Sequence, residues 1–168
     1  MVVAGDGRVG CAARRSYDLT VPHDLPPNGD RAGSVRHPGE MDGEQLHEVA
    51  IRTAAGLPAV RETEPFGEGA LVFKVVDKMF LMATALRGVP IVNLKCAPPH
   101  GAALVRDHDE IWPGWHMNKR HWITIAPGDG VDETLVEDLV ANAYDLVVAG
   151  LPRAKRPLDP ARRDGSAH

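Results

Sequence analysis

The sequence predicts an α+β fold: a single two-layer domain with a largely antiparallel sheet and helices packed on one face. Apolar residues recur at helical spacing near both ends of the stretch 41–152, and between them short segments alternate with the period of a strand. Turn signals of hairpin length join those segments, and hairpin-linked strands with helices to one side define this class.

Asp42 can cap a helix, and Gln45 stands where a capping-box partner belongs. Leu46, Val49, Ala50 and Ala54 share one helical face, and Gly56 and Pro58 stop it, so the first helix spans Gly43 to Ala55. "ALVFKVVD" puts Leu71, Phe73 and Val75 on one face of a strand and Val72, Lys74 and Val76 on the other. "KMFLMAT" continues the sheet; a turn at Asp77-Lys78 sets Val75 opposite Phe80 and Phe73 opposite Met82. "PIVNLKC" turns Val92, Leu94 and Cys96 inward and Ile91, Asn93 and Lys95 outward. Pro98-Pro99 suit the first turn of a second helix, which ends within "RDHDE". Pro113-Gly114 reads as a turn, and "HWITIA" as a strand with Ile123 and Ile125 on one side and Trp122 and Thr124 on the other. Asp132 and Glu133 suit the N-terminus of a third helix. Its apolar stripe is Leu135, Leu139, Val140, Ala143, Leu146 and Val147, and Gly150 and Pro152 end it.

The flanks read differently. Residues 1–40 are rich in Pro, Gly and charge without periodicity, so they cannot bury enough surface to offset their ordering entropy. They are expected to be a disordered leader or upstream-translated segment, with Met41 as the initiator. The domain is expected over 41–152, and 153–168 as a flexible basic tail.

With 168 residues there is enough chain for one domain with a real core. The formal net charge is −4, whereas a sequence-independent DNA binder usually carries a strong positive excess. Any nucleic-acid contact must therefore rest on a local patch. The two cysteines, Cys11 and Cys96, form neither a CxxC nor a Cys/His zinc pattern, which points to a reducing, cytoplasmic setting. No apolar run approaches the ~18 residues of a membrane span.

The candidate patch is "PGWHMNKRHWITI", Pro113 to Ile125. Lys119 and Arg120 supply charge there, and Trp115, His116 and Trp122 supply flat faces that can stack on bases. Lys74 and Lys95, outward on neighbouring strands, extend it into a basic stripe. The structural alternative is that Trp122 covers the end of the core while Lys119 and Arg120 pair with Glu62, Glu64 or Glu68. As an enzyme site the stretch lacks a constellation of nucleophile, base and orienting group. His116 and His121 do not have the spacing of a helical metal pair, and Cys96 is expected inward as a small core residue. The expectation is no catalytic residue, no metal and no cofactor.

Four blocks in order, "EPFGEGALVFKVVDKMF", "NLKCAPP", "PGWHMNKRHWITI" and "ANAYDLVVAGLP", resemble the MmcQ/YjbR family of small bacterial proteins. The resemblance covers most of Met41 to Pro152. It matches Glu64, Pro65, Phe66 and Gly67 before the first strand, Lys74 and Lys78 around the hairpin, and Asn93, Leu94 and Lys95 in the third strand. It continues with Asn118, Lys119, His121 and Trp122 in the NKxHW core, and with Tyr144 and Asp145 in the last helix. Asp77 stands where the family often has Gly, and Ala143 where it often has Ser. The resemblance implies a compact α+β fold and a double-wing, DNA-binding role. The expected function is a non-enzymatic DNA contact of modest affinity through Lys74, Lys95, Asn118, Lys119, Arg120, His121 and Trp122. The alternatives are a protein-interaction module that binds a partner or itself through the apolar hairpin face Val72, Val76, Met79 and Leu81, and a small-molecule binder or enzyme. Phe66 is expected to plug the sheet edge.

Overall fold

A computed structural model describes residues 40–157 apart from Glu68. The leader and most of the basic tail lie outside the described residues. The element order is α1 Gly43–Ala55, β1 Val60–Thr63, β2 Leu71–Val75, β3 Lys78–Leu86, β4 Val89–Lys95, α2 Pro98–Asp107, β5 Ile111–Pro113, β6 Trp122–Ile125 and α3 Glu133–Ala149. A 3-10 turn, Arg153–Lys155, follows, and Arg156 donates from its guanidinium to the carbonyls of Leu151 and Ala149.

The strands form one antiparallel six-stranded sheet in the order β1-β2-β3-β4-β6-β5. This is the expected α+β class. Helix α1 begins on the full capping box: the Gln45 amide donates to Asp42 Oδ1 at 2.8 Å, and the Asp42 amide to Gln45 Oε1 at 3.1 Å. Its buried residues are Leu46, Val49, Ala50 and Ala54, as the periodicity requires. Arg52 ties α1 to α3 through ion pairs with Glu133 and Glu137.

One core lies between the helices and the sheet face carrying Phe73, Val75, Leu81, Ala83, Val92, Leu94, Ile123 and Ile125. The opposite face carries Ile91, Leu86 and Ala126, covered in part by Trp112 and Trp115. Asn93, expected outward, is fully buried on that second face beside Thr124.

Three expectations are corrected. The β2–β3 turn is Val76-Asp77, both in the left-handed region at φ 46° and 63°, so Val75 pairs with Lys78 and Phe73 with Leu81. The register then shifts between Phe73 and Lys74, which leaves Phe80 as an extra residue on β3. The bulge puts Phe80 and Leu81 together in the helix-side core. Leu81 is therefore not on the outer hairpin face, and Val72 is fully buried, so of the expected apolar hairpin face only Val76 and Met79 stay half-exposed. Secondly, the buried stripe of α3 is Val136, Leu139, Val140, Ala143, Tyr144 and Val147, with Leu146 39% exposed and Leu135 half-buried. The helix is rotated because Tyr144 reaches inward, its hydroxyl donating to the Pro58 carbonyl at 2.9 Å and its ring meeting Phe80 edge-on. Thirdly, Ile111–Pro113 is an edge strand against β6, where the Pro-Gly signal hides it; Pro is tolerated at such an edge.

Candidate nucleic-acid interface

The registers place the charged residues. Alternation along β2 and β4 puts Lys74 and Lys95 on the second face, the one turned away from the helices, and Lys95, the last residue of β4, also borders the groove between α2 and α3 at the end of the sheet. Lys74 pairs with Arg61 on β1 and Met79 on β3, and Lys95 pairs with Trp122 on β6. Arg61 and Lys74 are thus cross-strand neighbours, and Lys95 lies two strands from Lys74, at least about 9–10 Å away, past the β3 bulge. The Lys95 ammonium lies 5.6 Å from the centroid of the Trp122 ring, a cation–π contact. Arg61 escapes a reading of the sequence because "VRET" shows no apolar alternation to mark a strand.

Beyond Trp122 the chain holds the remaining basic residues on a tight turn. The His121 amide donates to the Asn118 carbonyl, and the Arg120 amide to Asn118 Oδ1, both at 3.0 Å. Asn118 therefore builds the turn, as Asn does when its side chain closes onto nearby backbone. The His121 carbonyl accepts the Cys96 amide at 2.9 Å and so extends the β4–β6 ladder. Asn118, Lys119, Arg120 and His121 are all exposed. Lys119, Arg120 and Trp122 line one groove together with α2, so the turn stands at the end of the sheet, next to Trp122 and on the side of α2.

Trp122 is 8% exposed and is the buried member of the group. The other Trp of the stretch, Trp115, is half-buried, with the His116 ring against it at 4.2 Å in an edge contact. His116 adopts φ 54°. The Trp115 amide donates to Thr124 Oγ1 at 2.8 Å, and Thr124 Oγ1 donates to Asn93 Oδ1 at 2.6 Å. This chain fastens the 114–121 segment over the sheet. Thr124→Val should therefore cost about 1–3 kcal/mol in denaturant unfolding, because it leaves the Trp115 amide and Asn93 Oδ1 without partners in a buried place. Asn93 Nδ2 is already a buried donor without a partner among the described residues.

Two of the acidic partners expected for the turn, Glu62 and Glu64, lie elsewhere. Glu62 is on β1 and Glu64 just past it, four strands from Trp122, or about 19 Å across the sheet; Glu68 lies outside the described residues. Phe66 does not plug the sheet edge; it is 72% exposed on a turn closed by the Gly67 amide and the Glu64 carbonyl. Cys96 is buried, and desolvation raises its thiol pKa, so it stays protonated. Among the described residues no group of three His, Cys, Asp or Glu side chains gathers to hold a metal, and no helix is long and apolar enough to cross a membrane.

Comparison with known proteins adds to this geometry. The YjbR family model matches residues 55–146. The chain is similar to uncharacterized protein YbdF of Escherichia coli O157:H7, 43% identical over 113 residues, which cover 67% of this chain and 93% of YbdF. Uncharacterized protein YjbR of Escherichia coli strain K12 is 33% identical over 89 residues, 53% of this chain and 75% of that one. Among solved structures, Deinococcus radiodurans protein DR2400, of domain family DUF419, aligns with a TM-score of 0.60 at 30% identity, covering 80% of this chain and all of its own. A Pseudomonas syringae protein shares the fold at a TM-score of 0.52 and 21% identity, over 63% of this chain and 98% of its own. The family match spans the sheet, the 118–121 turn and most of α3, and on that ground the chain belongs to the YjbR family.

Proposed function

We propose that this YjbR-family chain is a non-enzymatic DNA-binding protein that holds the phosphate backbone with modest affinity. The observation that carries the reading is the run of Arg61, Lys74 and Lys95 across one sheet face, ending at Trp122 and the Lys119-Arg120 turn. Each cation that neutralises a phosphate releases a counterion, so a local row suffices even on a chain of net charge −4. The affinity stays modest because the rest of the surface repels the same polyanion. Asn118 and His121 act here as builders of the turn that presents Lys119 and Arg120. A cytoplasmic setting suits such a partner.

Titration against duplex and single-stranded DNA at two salt concentrations tests the reading. Lys95→Ala and Lys119→Ala should each weaken binding to all sequences alike and lower the salt slope by about 0.9 for each duplex phosphate that is no longer neutralised. Thermal stability should change little for the exposed Lys119. Unmeasurable binding of the unmutated chain at low salt would dispose of the proposal.

A further inference from the structure

The groove lined by Lys119 and Arg120 has a second wall that the nucleic-acid reading does not use. Pro98, Gly101, Ala102 and Val105 recur at helical spacing and present one face of α2 to it. Its floor includes Cys96 and Ile123, and its volume is 410 Å³, within the usual range for small-molecule sites. Small residues set its shape. A Cβ on Gly101 would lie 3.3 Å from Ile123 Cγ2 and 3.6 Å from Cys96 Sγ, so the helix approaches the sheet closely at that point. The short Ala102 side chain is exposed beside it.

The charges in this groove have one sign. Among the described residues, its ionic lining consists of the cations Lys119 and Arg120, and the Cys96 thiol is neutral. The first turn of α2 contains no acidic residue and no side-chain cap, so its dipole adds positive potential at Pro98. The neighbouring groove between α2 and α3 differs. Its volume is 290 Å³, and Lys95 and Asp145 both line it, so it selects neither sign.

The geometry points to a binding site for an amphiphilic organic anion: an aliphatic or aromatic body with a single carboxylate, sulfonate or phosphate head. The apolar wall takes the body, and Arg120 takes the head in charge-assisted hydrogen bonds. A nucleobase or sugar fits less well, because its edge donors and acceptors would be buried against apolar side chains without partners. A cationic amphiphile meets repulsion at the rim.

The test uses the full chain without nucleic acid, so a failure of DNA binding leaves its result standing. Anilinonaphthalene sulfonate, an aromatic sulfonate that fluoresces on leaving water, should bind saturably at one site. Dodecanoate should displace it, and dodecyltrimethylammonium should not. Ala102→Trp fills the groove and should weaken the probe by about tenfold or more because the body no longer fits; Arg120→Glu reverses the rim and should weaken it by a similar factor, the scale of removing one charge-assisted hydrogen bond. Circular dichroism and the unfolding curve should match the unmutated chain. Wild-type probe affinity in Arg120→Glu, or equal displacement by the cationic amphiphile, would overturn the inference. Should Ala102→Trp misfold, Arg120→Glu still decides, because its side chain stands on an exposed turn.

Discussion

Trp122→Ala should lower the unfolding free energy by about 3–5 kcal/mol, the cost of removing a large buried aromatic side chain and leaving a void. The ring is 8% exposed and sits under Lys95, a contact that adds about 0.5–1 kcal/mol at a partly open site. Its strand partner and its loop both press on it. A Cβ at Gly114 would lie 2.6 Å from Trp122 Cβ, and the Gly114 amide donates to the Trp122 carbonyl at 2.8 Å. Truncation therefore removes the base on which the 114–121 segment lies, and Lys119 and Arg120 lose their position with it. Denaturant unfolding separates this from a stacking role. A residue that only stacked on bases would lower single-strand affinity by ~1–3 kcal/mol and leave folding intact. A decrease in stability under about 1 kcal/mol would show that the ring fills no core. The aromatic of the stretch with more ring free to meet a base is Trp115, which is half-buried.

Local signals in the sequence locate the elements well where one physical cause dominates. The capping box fixes the start of α1 to the residue, and alternation in "PIVNLKC" and "HWITIA" assigns Val92, Leu94, Ile123 and Ile125 to the helix side. Non-local causes are not legible. The turn at Val76-Asp77 places a β-branched residue at positive φ, which turn preferences argue against, and Val76 adopts it while packing against the main core. Periodicity sets the face of α3 one step off because Tyr144 looks polar; its hydroxyl finds the Pro58 carbonyl, a residue far away in the chain. The site is legible as a set of residues but not as a geometry. Lys74, Lys95, Lys119 and Arg120 carry charge in any fold, whereas Arg61 joins them only through the β1–β2 register, and burial sets Trp122 apart from the exposed residues before it.

Phe80→Ala should cost about 3–5 kcal/mol from the emptied ring site. Its edge contact with Tyr144, with ring centroids 5.7 Å apart at 80°, accounts for a further ~0.5–1.5 kcal/mol. Phe80 is fully buried at the β3 bulge, the point where the strand admits an extra residue. The ring gives the bulge its reason: Phe80 and Leu81 both face the helices, and only Met79 remains opposite Lys74. Without the ring the extra residue loses its anchor, and the β2–β3 register can relax toward a plain ladder. A one-residue slip reverses which face a side chain occupies, so it would disturb the Arg61–Lys74 row as well as the core. A double-mutant cycle with Tyr144→Phe divides the effects. Tyr144→Phe keeps the ring and removes the hydroxyl bond to Pro58, a cost of about 1 kcal/mol, and the two changes should add because Phe80 meets the ring and not the hydroxyl. Strong non-additivity would mean that the hydroxyl bond and the bulge form one unit, with the position of α3 setting the strand register.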